Sequence, residues 1–328
     1  MRDIADHLGV SRQLVSMVLR GLPGPSVESR DRILAAASEL GYRPNASARL
    51  LRQQRTRLIG AVFAMRHPFQ VRFVERLFVR AAEKGFGLVL GPTTVERPTD
   101  VVVAELMEER VEALVAFNPD PASAALAEAC DLVPVVWLGE WVQTPEVDNV
   151  HVDEVEGLRL AIDHLVGLGH CDIAYVGGQG GRVGQDRAEA YRAAMTTFGL
   201  SDRIEVLSGG FSEEDGAAAA REIVARDHRP TAVVCCGDQC AAGVLAVFAR
   251  SGVQVPEEVS VVGFDDSYLS SLSYHRLTSV RQDVEATVEA ALDSVLERLE
   301  GDTGPRRVVP TATTLVVRDS TGPVRTGV

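Results

Sequence analysis

Apolar positions in this chain follow two rhythms, and the change falls near residue 57. Before it the spacing is helical. Ile4, Ala5 and Leu8 share one stripe, and Leu14, Val15, Val18 and Leu19 share another, with Arg12, Gln13, Ser16, Met17 and Arg20 on the opposite side of that second helix. From Leu58 onward, short continuous apolar runs alternate with amphipathic stretches. The runs 58–64, 87–91, 113–117, 133–138, 173–178, 204–209, 232–237 and 259–264 predict strands, and stretches such as Phe73 to Lys84 and Val155 to Leu168 predict the helices between them. Such strands imply parallel sheets covered on both faces. Eight of these units are too many for one compact sheet at this spacing, so two α/β lobes are expected.

The helical part resolves further. Gly9 permits the positive φ of a tight turn, and Ser11 can cap the second helix. A third helix starts at Pro25-Ser26-Val27-Glu28, with Ser26 as N-cap and Ile33, Leu34, Ala37 and Leu40 as its inner face, and Gly41 ends it. Pro44 then suits the first turn of a short helix in which Leu50 and Leu51 lie between Arg49 and Arg52 with no core of their own. A helix so short is marginal in water and is expected to order on a partner. Two helices broken by Gly, with small Ala at their crossing, form a helix-turn-helix pattern. On its outward face Arg can read guanine, Gln adenine, Met a thymine methyl, and Ser can hold a phosphate. The plain alternative is an αα-hairpin with a solvated polar face.

Charge favours the first reading. The whole chain carries −13, but residues 1–57 hold ten Arg against five acids, while residues 58–328 hold 23 basic and 41 acidic groups. The positive charge therefore sits with the helix-turn-helix, as contact with phosphates requires, and the acidic remainder would repel DNA. Five cysteines without CxxC spacing point to a reducing compartment, and Cys235, Cys236 and Cys240 make a poor metal set because the first two point to opposite faces of a strand. No apolar run reaches membrane-spanning length, no signal peptide precedes the first helix, and the seven His show no i, i+4 pair. YVGGQGG after a strand lacks the GxGxxG spacing of a dinucleotide loop, and Walker A, HExxH and GxSxG patterns are not found. No cofactor, metal or catalytic group is expected.

LGVSRQLVSMVLRG, VESRDRIL and ELGYRPNASARLLR, followed by RTRLIG, VDEVEGLRLAIDHLVGLGH, IAYVGG and VPEEVSVVGFDDSYLSSLSYHRLTSVRQD, resemble the LacI/GalR family of bacterial transcriptional regulators over nearly the whole chain. The family's usual few residues before the first helix are short here, so a truncated or mis-assigned start is one expectation. The resemblance implies a helix-turn-helix domain at 1–43, a hinge helix and linker at 44–57, and a periplasmic-binding-protein-like core at 58–328. Chain crossovers near Val152, Gln282 and Thr311 would divide that core into an N-lobe (58–151 and 283–311) and a C-lobe (152–282 and 312–328). In the hinge helix, Asn45, Arg49 and Leu51 would contact DNA, and Leu51 matches the family's intercalating leucine. DNA contacts in the headpiece would come from Ser11, Arg12, Gln13, Ser16, Met17 and Arg20.

An effector would bind at the carboxyl ends of the strands, where open α/β sheets place their sites. His67 and Phe69 resemble the family's N-P-F loop, with His for Asn. Arg187 matches the second Arg of R-x-R-x-x-G-Y, with Gln185 in place of the first. Phe211 takes the place of an aromatic that packs on a sugar face, Gln239 falls in the N-D-x stretch where Gly237 replaces Asn, and Asp265 belongs to G-[FY]-D-D. Singly, each of these is as readily a loop cap, a surface charge or a packing residue. Gly139, Gly237 and the Glu140-Trp141 pair depart from sugar-binding members. The expectation is a cytoplasmic homodimeric regulator, more specifically a repressor, of pseudo-palindromic DNA, switched by a small molecule, with a sugar as first choice. Two other readings remain: an enzyme acting on sugars or nucleosides, and a free solute-binding protein on the same scaffold. No tetramerising heptads follow Arg318.

Overall fold

The computed structural model describes residues 1–19, 23–41, 55–142 and 147–325, and the counts that follow are of these. It divides into two compact units, Met1–Thr56 and Arg57–Val328. In the first, α1 (Arg2–Leu8), α2 (Arg12–Leu19) and α3 (Val27–Glu39) enclose Ile4, Ala5, Val15, Val18, Ile33, Ala36 and Ala37. Gly9 at φ +64° ends α1, in the left-handed conformation that costs glycine least. Ser11 Oγ accepts from Leu14 N at 3.1 Å, and Ser26 Oγ accepts from Ser29 N at 3.2 Å, so each hydroxyl satisfies a backbone donor left over at a helix start.

The expected inner face of α3 needs correcting. Leu34 and Leu40 are 48% and 45% exposed, and Ala36 is buried instead. Ile33, Ala36 and Ala37 keep i, i+3, i+4 spacing, which places Leu34 about 100° from Ile33. Arg20 and the segment holding Asn45, Arg49 and Leu51 lie outside the described residues.

The second unit holds two six-stranded sheets, each among the described residues. Sheet one contains β1 (Leu58–Ala64), β2 (Gly87–Thr93), β3 (Ala113–Phe117), β4 (Val135–Gly139), β5 (Asp148–Val152) and β11 (Val308–Thr311), in the order β11-β5-β4-β3-β1-β2 and parallel throughout. Sheet two contains β6 (Ile173–Gly178), β7 (Glu205–Gly209), β8 (Ala232–Cys235), β9 (Ser260–Asp265), β10 (Thr278–Gln282) and β12 (Thr313–Val316), in the order β12-β10-β9-β8-β6-β7. Its pairs are parallel except β10 with β12. Helices α4 (Pro68–Glu83), α5 (Thr99–Glu108), α6 (Ala124–Leu132) and α12 (Val284–Leu299) cover the first sheet. The second is covered by α7 (Glu154–Gly167), α8 (Gly181–Thr197), α9 (Glu213–Val224) and α10 (Asp238–Arg250), with a short α11 (Tyr268–Ser271) after β9.

The chain passes between sheets after Val152, after Gln282 and between Thr311 and Thr313. Two of these passages end in capped helices. Asp153 Oδ1 accepts from Glu156 N at 2.9 Å, and Asp283 Oδ1 accepts from Ala286 N at 3.0 Å. Glu154 and Gln282 are thereby fixed beside the crossovers, facing the crevice between the lobes.

Candidate ligand cleft and DNA-facing helix

Strand ends and helix starts from both lobes meet around a cavity of about 210 Å³, lined by His67, Phe69 and Phe117 from the first lobe and Glu154, Arg187 and Phe211 from the second. On the first lobe, His67 precedes Pro68 at the start of α4, and Gln70 Oε1 accepts from Ala64 N at 2.7 Å, which ties the helix start to the end of β1. Phe69 and Phe73 both meet Phe117 edge-on, with centroids 6.1 and 4.7 Å apart. Asn118, at φ +38°, turns its Oδ1 to accept from Glu140 N at 2.7 Å. Gly139 is required beneath it: a Cβ there would lie 2.2 Å from Asn118 Oδ1, and φ is +97°. Where the sequence shows a lost polar group at 139, the fold has brought in the Asn118 amide.

On the second lobe, Arg187 rises from α8 and is 4% exposed. Its guanidinium carbon lies over the Phe264 ring, 3.7 Å from the centroid, and over the Phe211 ring at 5.7 Å, and Nη1 donates to the Cys236 carbonyl. Asp265 Oδ1 is 3.5 Å from Nη1, and Glu154 Oε1 is 3.9 Å from Nε. Two buried nitrogens facing the cleft, Arg187 Nε and His67 Nδ1, have no hydrogen-bond partner. An orphaned buried polar group costs about 1–3 kcal/mol, so both are poised for a ligand hydroxyl, which can accept from Arg187 Nε and can accept from or donate to the imidazole nitrogen.

Asp265 carries a strained backbone, φ +107°, followed by Asp266 at φ +46°. Gln282 Nε2 donates to Asp265 Oδ1, while Arg281, Arg318 and Ser270 donate to Asp266. Behind them Asp238 accepts from Ser267 N at 2.6 Å, Ser267 Oγ at 2.8 Å and Ser279 Oγ at 2.6 Å, and so clamps the turn after β9. Burial, reinforced by the neighbouring Asp265 charge, raises the Asp238 pKa. Burial also lifts Glu154 to about 7 against the pull of Arg187, and it lowers His67, which favours neutral imidazole.

Of the six expected effector residues, His67, Phe69, Arg187 and Phe211 line this cavity, and Asp265 is outside the lining but pairs with Arg187 Nη1 at 3.5 Å. Gln239 does not join them: its Nε2 donates to Glu213 Oε1 at 3.0 Å, and it faces a separate groove with Arg66 and Tyr268. The reason is helical phase, since Gln239 sits one residue past buried Asp238 and turns outward. Gln185 and Trp141 are exposed and outside the cavity lining. The sequence reading overlooked Asn118, Glu154 and Gln282, which also line the cavity; Asn118 directly follows β3 and so carried a signal, whereas Glu154 and Gln282 are brought to the cavity only by the crossovers. Cys235, Cys236 and Cys240 are fully buried, and among the described residues no three His, Cys, Asp or Glu gather as metal ligands.

In the first unit α2 turns Val15 and Val18 inward and leaves Arg12 and Gln13 exposed, with Ser16 and Met17 half-buried. Met17 Cε reaches toward Gly24, where a Cβ would lie 3.1 Å away. Ser11 is exposed, its hydroxyl engaged in capping.

A helix-turn-helix unit and a two-lobed core with polar groups unsatisfied in its cleft define the class of ligand-responsive DNA-binding proteins. Residues 1–45 match the bacterial regulatory proteins of the lacI family, and residues 162–321 match the periplasmic binding protein-like domain. The HTH-type transcriptional regulator CelR of Thermobifida fusca is 32% identical, over 97% of this chain and 96% of its own. A crystal structure of the lac repressor dimer bound to operator and the anti-inducer ONPF aligns with a TM-score of 0.82 at 29% identity, covering 98% of each chain. A CelR–cellobiose complex aligns at 0.71 and 29% identity, covering 97% and 98%. The chain belongs to the lacI family of bacterial regulatory proteins.

Proposed function

We propose that this protein is a homodimeric transcriptional repressor, acting in the cytoplasm, whose grip on a pseudo-palindromic operator is set by a small carbohydrate held between its lobes. The observation that carries the effector half is the pair of unsatisfied nitrogens, Arg187 Nε and His67 Nδ1, on opposite walls of one small cavity. A polyol hydroxyl can accept from Arg187 Nε, and another can pair with His67 Nδ1 in either tautomer, while Phe211 offers an apolar face to a sugar ring. At about 210 Å³ the cavity is below the roughly 300–1,000 Å³ of drug-sized ligand sites, which suits a single ring. The cellobiose-bound relative supports a carbohydrate class. The operator-bound dimer supports two-fold recognition of DNA. Because the relatives are transcription regulators, no catalytic step is assigned.

A ligand touching both walls favours one lobe angle. By linkage it then shifts operator affinity by the difference in its affinity for the two states, typically about 1–3 kcal/mol. The proposed division is a DNA-binding domain at 1–43, a hinge at 44–57 and an effector domain at 58–328, lobed as the crossovers divide it. Arg12, Gln13 and Met17 would read bases, Ser11 and Ser16 would hold phosphates, and Arg20 would complete the DNA-facing side. Asn45 and Arg49 would contact DNA between the half-sites while Leu51 wedges a base step, at a cost of a few kcal/mol offset by contacts to bent DNA.

In-vitro selection from randomised duplexes tests the DNA half. A palindromic consensus is expected, with Arg12 or Gln13 substitutions changing base preference by about 1–3 kcal/mol at one position per half-site. Selection without a palindrome, or a preference untouched by both substitutions, would remove α2 from the reading role.

A further inference from the structure

The cleft sets two carboxyl groups against one guanidinium. Arg187 is shared between Asp265 at 3.5 Å and Glu154 at 3.9 Å, and His67, the other titratable group on the lining, favours the neutral form. Asp265 is further held by Gln282, whereas the Glu154 carboxylate accepts from its own backbone N–H and, among the described residues, from no side chain. The charged groups acting on Glu154 are Arg187 and Asp186 from α8 and Asp153 at the start of its own helix, so two of three are anionic. Asp186 is itself paired with Arg182 at 2.7 Å, which leaves Arg187 as the cation nearest the Glu154 oxygens. A carboxylate lining a cavity with spare acceptor capacity, beside a guanidinium already shared, calls for a ligand that brings its own positive charge.

We propose that the effector is a protonated amino sugar, with Glu154 receiving its ammonium group while Arg187 Nε donates to a ring or hydroxyl oxygen and His67 Nδ1 takes another hydroxyl. This rests on the carbohydrate reading above and adds its charge class. The arrangement ranks ligands by charge. A neutral sugar can offer the Glu154 oxygens only uncharged hydroxyl donors, sugar acids and phosphates meet a like charge, and the ammonium of an amino sugar adds an ionic attraction to its hydrogen bond. Because the bound ammonium favours ionised Glu154, uptake of the ligand releases a proton whenever Glu154 was protonated beforehand, and the affinity rises with pH below neutrality.

Isothermal titration of the full-length protein with three matched pairs tests this: D-glucosamine with D-glucose, D-galactosamine with D-galactose, and D-mannosamine with D-mannose. The expected result is that at least one hexosamine binds about tenfold or more tightly than its parent, the gain of an ammonium–carboxylate ion pair over a hydroxyl donor at the same carboxylate. In Glu154→Gln the ratio should fall toward one, and in the wild type it should shrink on going from about pH 7.5 to about pH 6. If the parent hexose binds as well or better, the amino-sugar assignment is overturned and the carbohydrate reading stands. If no member of any pair binds, both are overturned. Should Glu154→Gln fail to fold, the wild-type ratio alone still decides.

Discussion

Arg187 shows how much of a binding site one residue can organise. Its planar guanidinium packs on Phe264, anchors to the Cys236 carbonyl and divides its charge between two carboxylates, which a lysine ammonium could not do. That residue was legible in the sequence through its match to the family's R-x-R-x-x-G-Y stretch. Glu154 was not singled out, because a lone Glu after a capping Asp reads as an ordinary first-turn acid, and only the fold buries it. Its burial has a measurable consequence. With the folded pKa raised from 4.5 to about 7, the folded state binds more protons than the unfolded state between those values, so this group's contribution to stability declines as pH rises through them. Across the whole window the loss amounts to about 3 kcal/mol. Urea unfolding of wild type and Glu154→Gln at about pH 5 and about pH 8 checks this: the substitution should flatten the pH slope and stabilise at the higher pH, and parallel slopes would contradict it.

At the scale of elements, the helices at the amino end were the most legible. Gly9, Ser11 and Ser26 mark helix ends by local chemistry alone, and all three act as local chemistry dictates. Ser11→Ala removes the acceptor for Leu14 N and should cost the first unit about 1 kcal/mol, read as a lower unfolding midpoint of its helical signal. No change would mean water replaces the cap. The strand expectations found four consecutive strands of each sheet and missed β5, β10, β11 and β12. These are the two outermost strands on one side of each sheet, short and mixed in polarity, so continuous apolar runs do not mark them. In β5 the buried Asp148 is tolerated because Arg298 grips it bidentately at 2.9 Å, a pairing across 150 residues that no local pattern reveals. The α3 correction has the same origin: periodicity gave the helix, and tertiary packing chose Ala36 over Leu34.

For the molecule as a whole, charge and connectivity matter most. The basic excess confined to the first 57 residues and the acidic remainder direct phosphate contact to one end of the sequence. The three crossings between sheets place the ligand cavity where any change in lobe angle must be accommodated, next to Glu154 and Gln282. Occupancy of that cavity and the angle between lobes are therefore coupled by construction, and linkage carries the coupling to whatever else senses the angle. The central claim is that this coupling governs DNA affinity. It is tested most directly by fluorescence anisotropy of a selected operator duplex, titrated with a panel of neutral and amino sugars against wild type and Arg187→Ala. The account predicts that one sugar shifts wild-type operator affinity at least about fivefold and leaves Arg187→Ala unresponsive. A sugar that binds the wild type without moving operator affinity, or an equal response in the variant, would contradict it.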